Sequence, residues 1–243
     1  MNHPLFSKQI PVLDHGSVQL QDFMPFELID QGADIAFVNA ARTSYLGESK
    51  GVEKDFKLLR YLIDNHHTTP LEMVEFKFRI KAPIFVARQW MRYRMASFNE
   101  QSYRYTEAEE NDVYIPTQWR LQDMKNKQGS SANLLDQDGA DYLTRSMERL
   151  VRESFEVYRE AVEDFGVAKE QARVLLHGFA VYTTFIYKVN ALSLLHMLEQ
   201  RMHPHAQHEF QLYARVIYNN FFKLLLPWTS EIFEEKWRAQ GWF

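Results

Sequence analysis

Residues 74–105 read VEFKFRIKAPIFVARQWMRYRMASFNEQSYRY, and this run sets the architecture the rest of the chain must fit. In its first seven residues Val74, Phe76, Phe78 and Ile80 alternate with Glu75, Lys77 and Arg79, the period of a strand with one apolar face. Lys81-Ala82-Pro83 then turns the chain, and the proline suits the first turn of the helix expected to follow. On that helix Arg88 and Arg92 are four apart and share a face, as do Trp90 and Arg94. Past about Met95 the pattern breaks, and a loop is expected to carry Asn99, Glu100, Ser102 and Arg104. Residues 88–105 hold four arginines (Arg88, Arg92, Arg94, Arg104) and one acid, Glu100, among Gln89, Asn99, Gln101 and Ser102. Guanidinium groups are planar forks of donors that stay charged and match phosphate or carboxylate. Beside Trp90, Met91 and Phe98 they point to an anionic, ring-bearing ligand.

Upstream, residues 16–23 alternate Val18 and Leu20 with polar neighbours and read as a strand. Residues 34–44 are alanine-rich and suit a helix that Asp34 is placed to cap. From 52 to 65, Val52, Phe56, Leu59, Leu62 and Ile63 fall at helical spacing on one stripe. Downstream, residues 124–139 are polar and glycine-bearing, an expected exposed insertion. A long helix follows, its buried side marked by Leu143, Met147, Val151, Phe155, Tyr158, Val162 and Phe165, with Gly166 at its end. A shorter helix is expected over 168–177, a β-branched and aromatic strand over 179–189, and a helix over 190–202. Pro204 is read as opening one more helix, with Phe210, Tyr213, Ala214, Ile217 and Phe221 on one side. Pro227 is read as closing it ahead of a short amphipathic tail. There is no internal repeat or linker, so residues 1–243 read as a single mixed α/β (α+β) domain.

Composition excludes several classes. The chain has 46% hydrophobic and 25% charged residues, a formal net charge of −4 and no cysteine. The acidic balance argues against a general nucleic-acid binder. No apolar run approaches membrane-spanning length and the first ten residues lack a signal-peptide pattern, so the cytoplasm is expected. Without cysteine there is no thiolate zinc site and no cysteine nucleophile, and zinc-dependent base deaminases are excluded. Any enzyme here works with His, Arg, Ser, Tyr and carboxylates or takes its chemistry from a cofactor.

Two histidine groups stand beside the arginine run. His203, His205, His208 and Glu209 resemble metal-ligand spacing, but the HExxH arrangement is absent, and helix-start chemistry accounts for them, so no metal is assigned. His66-His67-Thr68-Thr69-Pro70 is explained by turn and capping chemistry, with a histidine acid or base as the functional alternative.

The run also resembles the signature of the flavin-dependent thymidylate synthase family, Arg-His-Arg followed after seven residues by Ser, here Arg92-Tyr93-Arg94 and Ser102. The resemblance extends to Ala40-Ala41-Arg42, the His67-Thr68-Thr69-Pro70 turn, residues 81–90, Asn190-Ala191 and Arg201 with His205-Ala206-Gln207, in the family's order. It implies an antiparallel sheet with long helices and reductive methylation of deoxyuridine monophosphate (dUMP) to thymidine monophosphate (dTMP). FAD would be the redox carrier, NADPH its reductant and methylenetetrahydrofolate the carbon donor. A homotetramer with active sites shared between subunits is implied as well. No cysteine attacks the uracil ring in such enzymes, in keeping with the cysteine count.

The resemblance also implies roles. Thr69, Arg92, Tyr93, Arg94, Glu100, Asn190 and His196 would contact FAD. Gln89, Arg92, Glu100, Gln101, Ser102, Tyr103, Arg104 and Arg173 would bind the nucleotide. Arg201 would lie against the uracil and favour its N3-deprotonated form, the catalytic role. Ser102 has no base partner in the sequence and is a contact, not a nucleophile. Tyr93 stands where the family usually has His, His196 and Leu192 where Asn and Arg are common, and Tyr103 where a small residue is frequent. The alternatives are hydroxymethylation of the same nucleotide, an anion- or RNA-binding module without catalysis, and a metal-dependent hydrolase.

Overall fold

The computed structural model describes residues 3–124 and 129–241. Its centre is a five-stranded antiparallel sheet. The strands are β1 (Gln9–Val12), β2 (Gly16–Met24), β3 (Glu75–Pro83), β4 (Ala96–Glu100) and, after a separate two-stranded hairpin of β5 (Arg120–Gln122) and β6 (Ser130–Leu134), β7 (Tyr182–Asn190). The spatial order is β1-β2-β3-β7-β4. As the alternation predicts, Phe76, Phe78 and Ile80 on β3 are fully buried, opposite Val189, Tyr187 and Phe185 of β7. Each such side chain contributes about 1.5–3 kcal/mol by leaving water. Phe76 stacks on Phe78 and on Phe222, and Phe78 meets Phe221 edge-on, so the aromatic face of the sheet is closed by the C-terminal helices.

The larger helices are α1 (Asp34–Arg42), α2 (Val52–Asp64), α3 (Ile84–Trp90), α4 (Gln137–Glu163), α5 (Ala191–Met202), α6 (His208–Ile217) and α7 (Pro227–Ala239). The long helix, the strand at 182–190 and the helix after it lie where periodicity puts them. Asp136 caps α4 by accepting from Gly139 N at 2.8 Å, and Asn190 caps α5 by accepting from Ser193 N at 2.9 Å. On α4, Val151, Phe155, Tyr158 and Ala161 bury into a second, smaller core with Val113, Ala172 and Val181, while Phe165 is exposed. Among the described residues no helix is long and apolar enough to cross a membrane.

Several expectations change. Asp34 does not cap its own helix. It is buried, and its carboxylate accepts from Trp228 N, Thr229 N and Thr229 Oγ1 at 3.0, 2.9 and 2.5 Å, capping α7 from 194 residues away in sequence. Pro227 therefore opens a helix instead of closing one, as a first-turn proline can. Pro204 opens none: residues 203–207 form turns, α6 starts at His208, and it continues through one π-helical segment, Tyr218–Phe222, to Leu225. Pro83 precedes α3 as its N-cap. The helix expected over 168–177 is reduced to Lys169–Ala172 and one tighter turn, Arg173–Leu175.

Residues 96–100 are a strand, not a loop. Backbone pairing with the open edge of β7 and stacking of Phe98 on Tyr187 at 5.2 Å decide it, and neither is visible in a local pattern. The stretch expected as an exposed insertion, 124–139, carries β6 of the hairpin and the start of α4; its described residues are mostly exposed, and residues 125–128 lie outside the described ones. β1, not anticipated, hairpins onto β2 across Gly16, where an added Cβ would lie 2.0 Å from Tyr213 Oη and 2.6 Å from Val12 O. Arg42 of the Ala40-Ala41-Arg42 block has a structural post. It pairs with Asp55 at 2.5 Å, both buried, and Asp55 also accepts from Ser49 Oγ and Lys50 N, tying down the loop before α2.

Candidate active site

α3 stops at Trp90 because that ring is anchored on all sides. It is fully buried and packs against Phe185, Tyr187, Phe210 and Tyr213 at 4.8–5.8 Å. The chain then closes a tight turn, Tyr93 N donating to Trp90 O at 3.0 Å, and throws residues 92–94 out beside α5. Trp90 and Arg94 thus do not share a helical face. The turn instead places Arg92 between two cavities.

The first cavity, about 680 Å³, is lined by Arg92, Tyr93, Arg94, Met95, Tyr187, Leu192, Ser193 and His196. Guanidinium groups sit over an apolar floor, a match for a phosphorylated ring system. Among the described residues no carboxylate pairs with Arg92 or Arg94. The second cavity, about 780 Å³, is polar, and Gln89, Arg92, Arg120, Arg201, His205 and Gln207 are among its lining residues.

Tyr93 and Arg201 join the two. Arg201 Nε donates to Tyr93 Oη at 2.7 Å, and Nη1 donates to Gln89 Oε1 at 3.4 Å. The guanidinium carbon lies 4.9 Å from the Phe210 ring centre and 5.4 Å from that of Tyr93. Burial pushes the Tyr93 phenol up, and the Arg201 charge, pulling down, does not cancel it. The hydroxyl keeps its proton at neutral pH and donates it to Gln200 Oε1 at 2.8 Å. Gln200 Nε2 lies 3.0 Å from His196 Nε2, which carries the network to the rim of the first cavity.

The other expected residues lie on different elements. Glu100 ends β4 and accepts from Thr183 Oγ1 at 2.8 Å. Gln101 N donates to Thr184 O at 2.8 Å, and Tyr103 Oη donates to Tyr182 O. Burial pushes the Tyr103 phenol up, helped by nearby Asp112 and Glu100, so it holds that turn as a neutral donor. Arg104 pairs with Glu170 at 3.2 Å, and Arg173 Nε donates to Glu170 O at 3.1 Å, so these two arginines converge on one residue. Ser102 Oγ accepts from Arg104 N at 3.3 Å. None of residues 101–104 or Arg173 lines either cavity, and neither do Thr69, Glu100 or Asn190. Within one chain the expected residues therefore form two groups: Gln89, Arg92, Tyr93, Arg94, His196 and Arg201, and a second around Ser102, Arg104 and Arg173.

Sequence reasoning passed over Arg120, and it met Gln207 only in a matched block and Glu209 only in a metal-like spacing. Glu209 is buried and paired with Arg120, Gln207 Nε2 donates to its Oε2 at 3.1 Å, and Gln207 Oε1 accepts from Gln89 Nε2. The signal for Gln207 lay in the His205-Ala206-Gln207 block. Arg120 gives none, since only the β5–β6 hairpin brings it there. Among the described residues no group of three His, Asp or Glu is placed to hold a metal ion. His203 Nδ1 accepts from His205 N at 3.1 Å and the two rings lie 5.1 Å apart, a turn held by its own side chains. His66 and His67 are exposed and line neither cavity.

The sequence model of the family described as "Thymidylate synthase complementing protein" matches residues 27–228. The protein of Thermosipho africanus called flavin-dependent thymidylate synthase is 44% identical over 225 residues, 91% of this chain and 92% of the relative. A protein of that name from Thermus thermophilus is 43% identical over 226 residues, 93% of this chain and 78% of the relative. Among solved structures, the UMP/dUMP methylase PolB from Streptomyces cacaoi bound with 5-Br dUMP superposes with a TM-score of 0.79 at 30% identity, covering 93% of this chain and 97% of that one. Its complex with 5-Br UMP gives 0.77, covering 93% and 96%. The family match spans every residue that lines the two cavities, and the chain belongs to the thymidylate synthase complementing protein family.

Proposed function

We propose that the protein is a flavin-dependent thymidylate synthase, converting dUMP to dTMP with FAD as the bound flavin, NADPH as reductant and methylenetetrahydrofolate as carbon donor. The observation that carries this reading is the Arg201–Tyr93 hydrogen bond between the two cavities, in a chain with no cysteine to attack a pyrimidine ring. Relatives called flavin-dependent thymidylate synthase, and a solved relative holding a dUMP analogue, support it.

Arg92, Tyr93, Arg94 and His196 would hold the flavin in the first cavity, where the arginines suit its phosphates and Leu192, Met95 and Tyr187 suit its rings. The flavin, when bound and reduced, supplies the hydride that the reaction needs. Arg201 sets its fixed positive charge against the uracil and stabilises the N3-deprotonated ring, activating it without a covalent adduct to the protein. Gln89, in hydrogen-bond contact with Arg201, presents an amide to the same base. Ser102, Arg104 and Arg173, with Gln101, Tyr103 and Glu100, bind the nucleotide from a second copy of the chain in a homotetramer. That arrangement unites the two groups of residues one chain keeps on separate elements, and Thr69 and Asn190 would join the flavin site in the same way.

The test is direct. The purified protein is incubated with dUMP, methylenetetrahydrofolate, NADPH and FAD, and the product is identified by mass. The expected product is dTMP. A hydroxymethyl product, or a protein that takes up no flavin even when FAD is added, overturns the reading.

A further inference from the structure

We propose that Glu209 is a positioning residue for Arg201, acting through Gln207 and Gln89; the inference rests on the role given to Arg201 above. The argument is one of hydrogen-bond direction. A carboxylate can only accept, so Gln207 must turn its Nε2 toward Glu209 Oε2, 3.1 Å away. That leaves Gln207 Oε1 facing Gln89, which must answer with its own Nε2. Gln89 Nε2 also donates to Phe85 O at 3.4 Å, in agreement with that orientation. Its Oε1 then faces Arg201 Nη1 at 3.4 Å. With either amide reversed, an NH2 group would confront another donor, and Arg201 would lose one of its two supports.

The far end of the chain is fixed as firmly. Glu209 Oε1 accepts from Arg120 Nη2 and from Tyr114 Oη at 3.4 Å, and the residue is only 5% exposed. Burial pushes its carboxyl up, but the Arg120 hydrogen bond and charge, its own backbone N–H and Gln207 together bring it below the ordinary glutamate value. The carboxylate thus stays an acceptor at working pH. Arg120 rides on the β5–β6 hairpin, so that hairpin and Arg201 are joined by one hydrogen-bonded chain.

The experiment is a double-mutant cycle on the flavin-loaded enzyme: wild type, Glu209→Gln, Gln207→Met and the double variant. It measures kcat and KM for dUMP, flavin absorbance, and calorimetric dUMP affinity. We expect each single change to lower kcat about 10-fold or more with flavin content retained, as a displaced catalytic group does. The double variant should be no slower than the slower single, because the chain is broken once. Wild-type kcat in Glu209→Gln, or losses that multiply in the double variant, overturn the inference. If Glu209→Gln does not fold, Gln207→Met leaves the Arg120–Glu209 pair intact and decides alone: wild-type kcat there rejects the chain. A wild-type enzyme that makes no dTMP rejects the proposed function instead, and the same cycle read in dUMP affinity still judges the relay.

Discussion

Arg201 reaches across the boundary between the two cavities to donate a 2.7 Å hydrogen bond to the hydroxyl of Tyr93. Tyrosine replaces the histidine usual in the Arg-His-Arg signature, and this bond shows what the phenol does there. It accepts from the guanidinium on one side and donates to Gln200 on the other, two roles a neutral hydroxyl fills together. Tyr93→Phe keeps the ring at the first cavity and removes both bonds. A hydrogen bond to a charged group is worth about 1.5–3 kcal/mol, so kcat/KM for dUMP should fall about 10- to 100-fold while flavin absorbance is retained. A Phe variant with wild-type kcat/KM would show that Arg201 is held without the phenol.

Arg201→Ala removes the charge that the proposed function sets against the uracil. Turnover should fall at least about 100-fold, the scale for loss of a pre-organised charged donor, with flavin still bound because the first cavity is lined without Arg201. Single-turnover formation of dTMP at the wild-type rate would sink the role.

Asp34 gives stability a signature in pH. Burial raises its carboxyl to about 6 from the ordinary 3.8, against the lowering pull of the Thr229 and Trp228 donors. Between those values the folded state holds a proton the unfolded chain has released, so this group's contribution falls as pH rises from about 4 to 6. A shift of about two units corresponds to about 3 kcal/mol. Urea midpoints measured across pH 4–7 should show wild type losing stability relative to Asp34→Asn, which cannot titrate, by about that amount. A constant difference between the two proteins would refute the assignment.

At Gly16 the contact is steric. A methyl group there meets Tyr213 Oη, itself donating to Lys81 O at 2.7 Å, and the Val12 and Lys81 carbonyls. Gly16→Ala should destabilise by about 3 kcal/mol or more, at the upper end of overpacking costs, seen as a lowered denaturation midpoint. Adding Tyr213→Phe should restore part of it by removing the hydroxyl, the remainder staying with the two fixed carbonyls.

The sequence by itself determined the central strands and the long helices. Phe76, Phe78 and Ile80 on β3 and Val151, Phe155 and Tyr158 on α4 keep a strict local period, and burial of one face follows from it. The signature around Arg92-Tyr93-Arg94 named the family because several blocks keep their order. Tertiary structure alone decided where side chains meet partners far along the chain. Asp34 caps α7, residues 96–100 become a strand because β7 offers an open edge, and Arg120 finds Glu209 through a hairpin whose residues show no strong period. The same holds for Arg201, whose partners Tyr93 and Gln89 lie 108 and 112 residues away. A local pattern records which face of an element is apolar; which two elements a hydrogen bond joins is set only when the faces have packed.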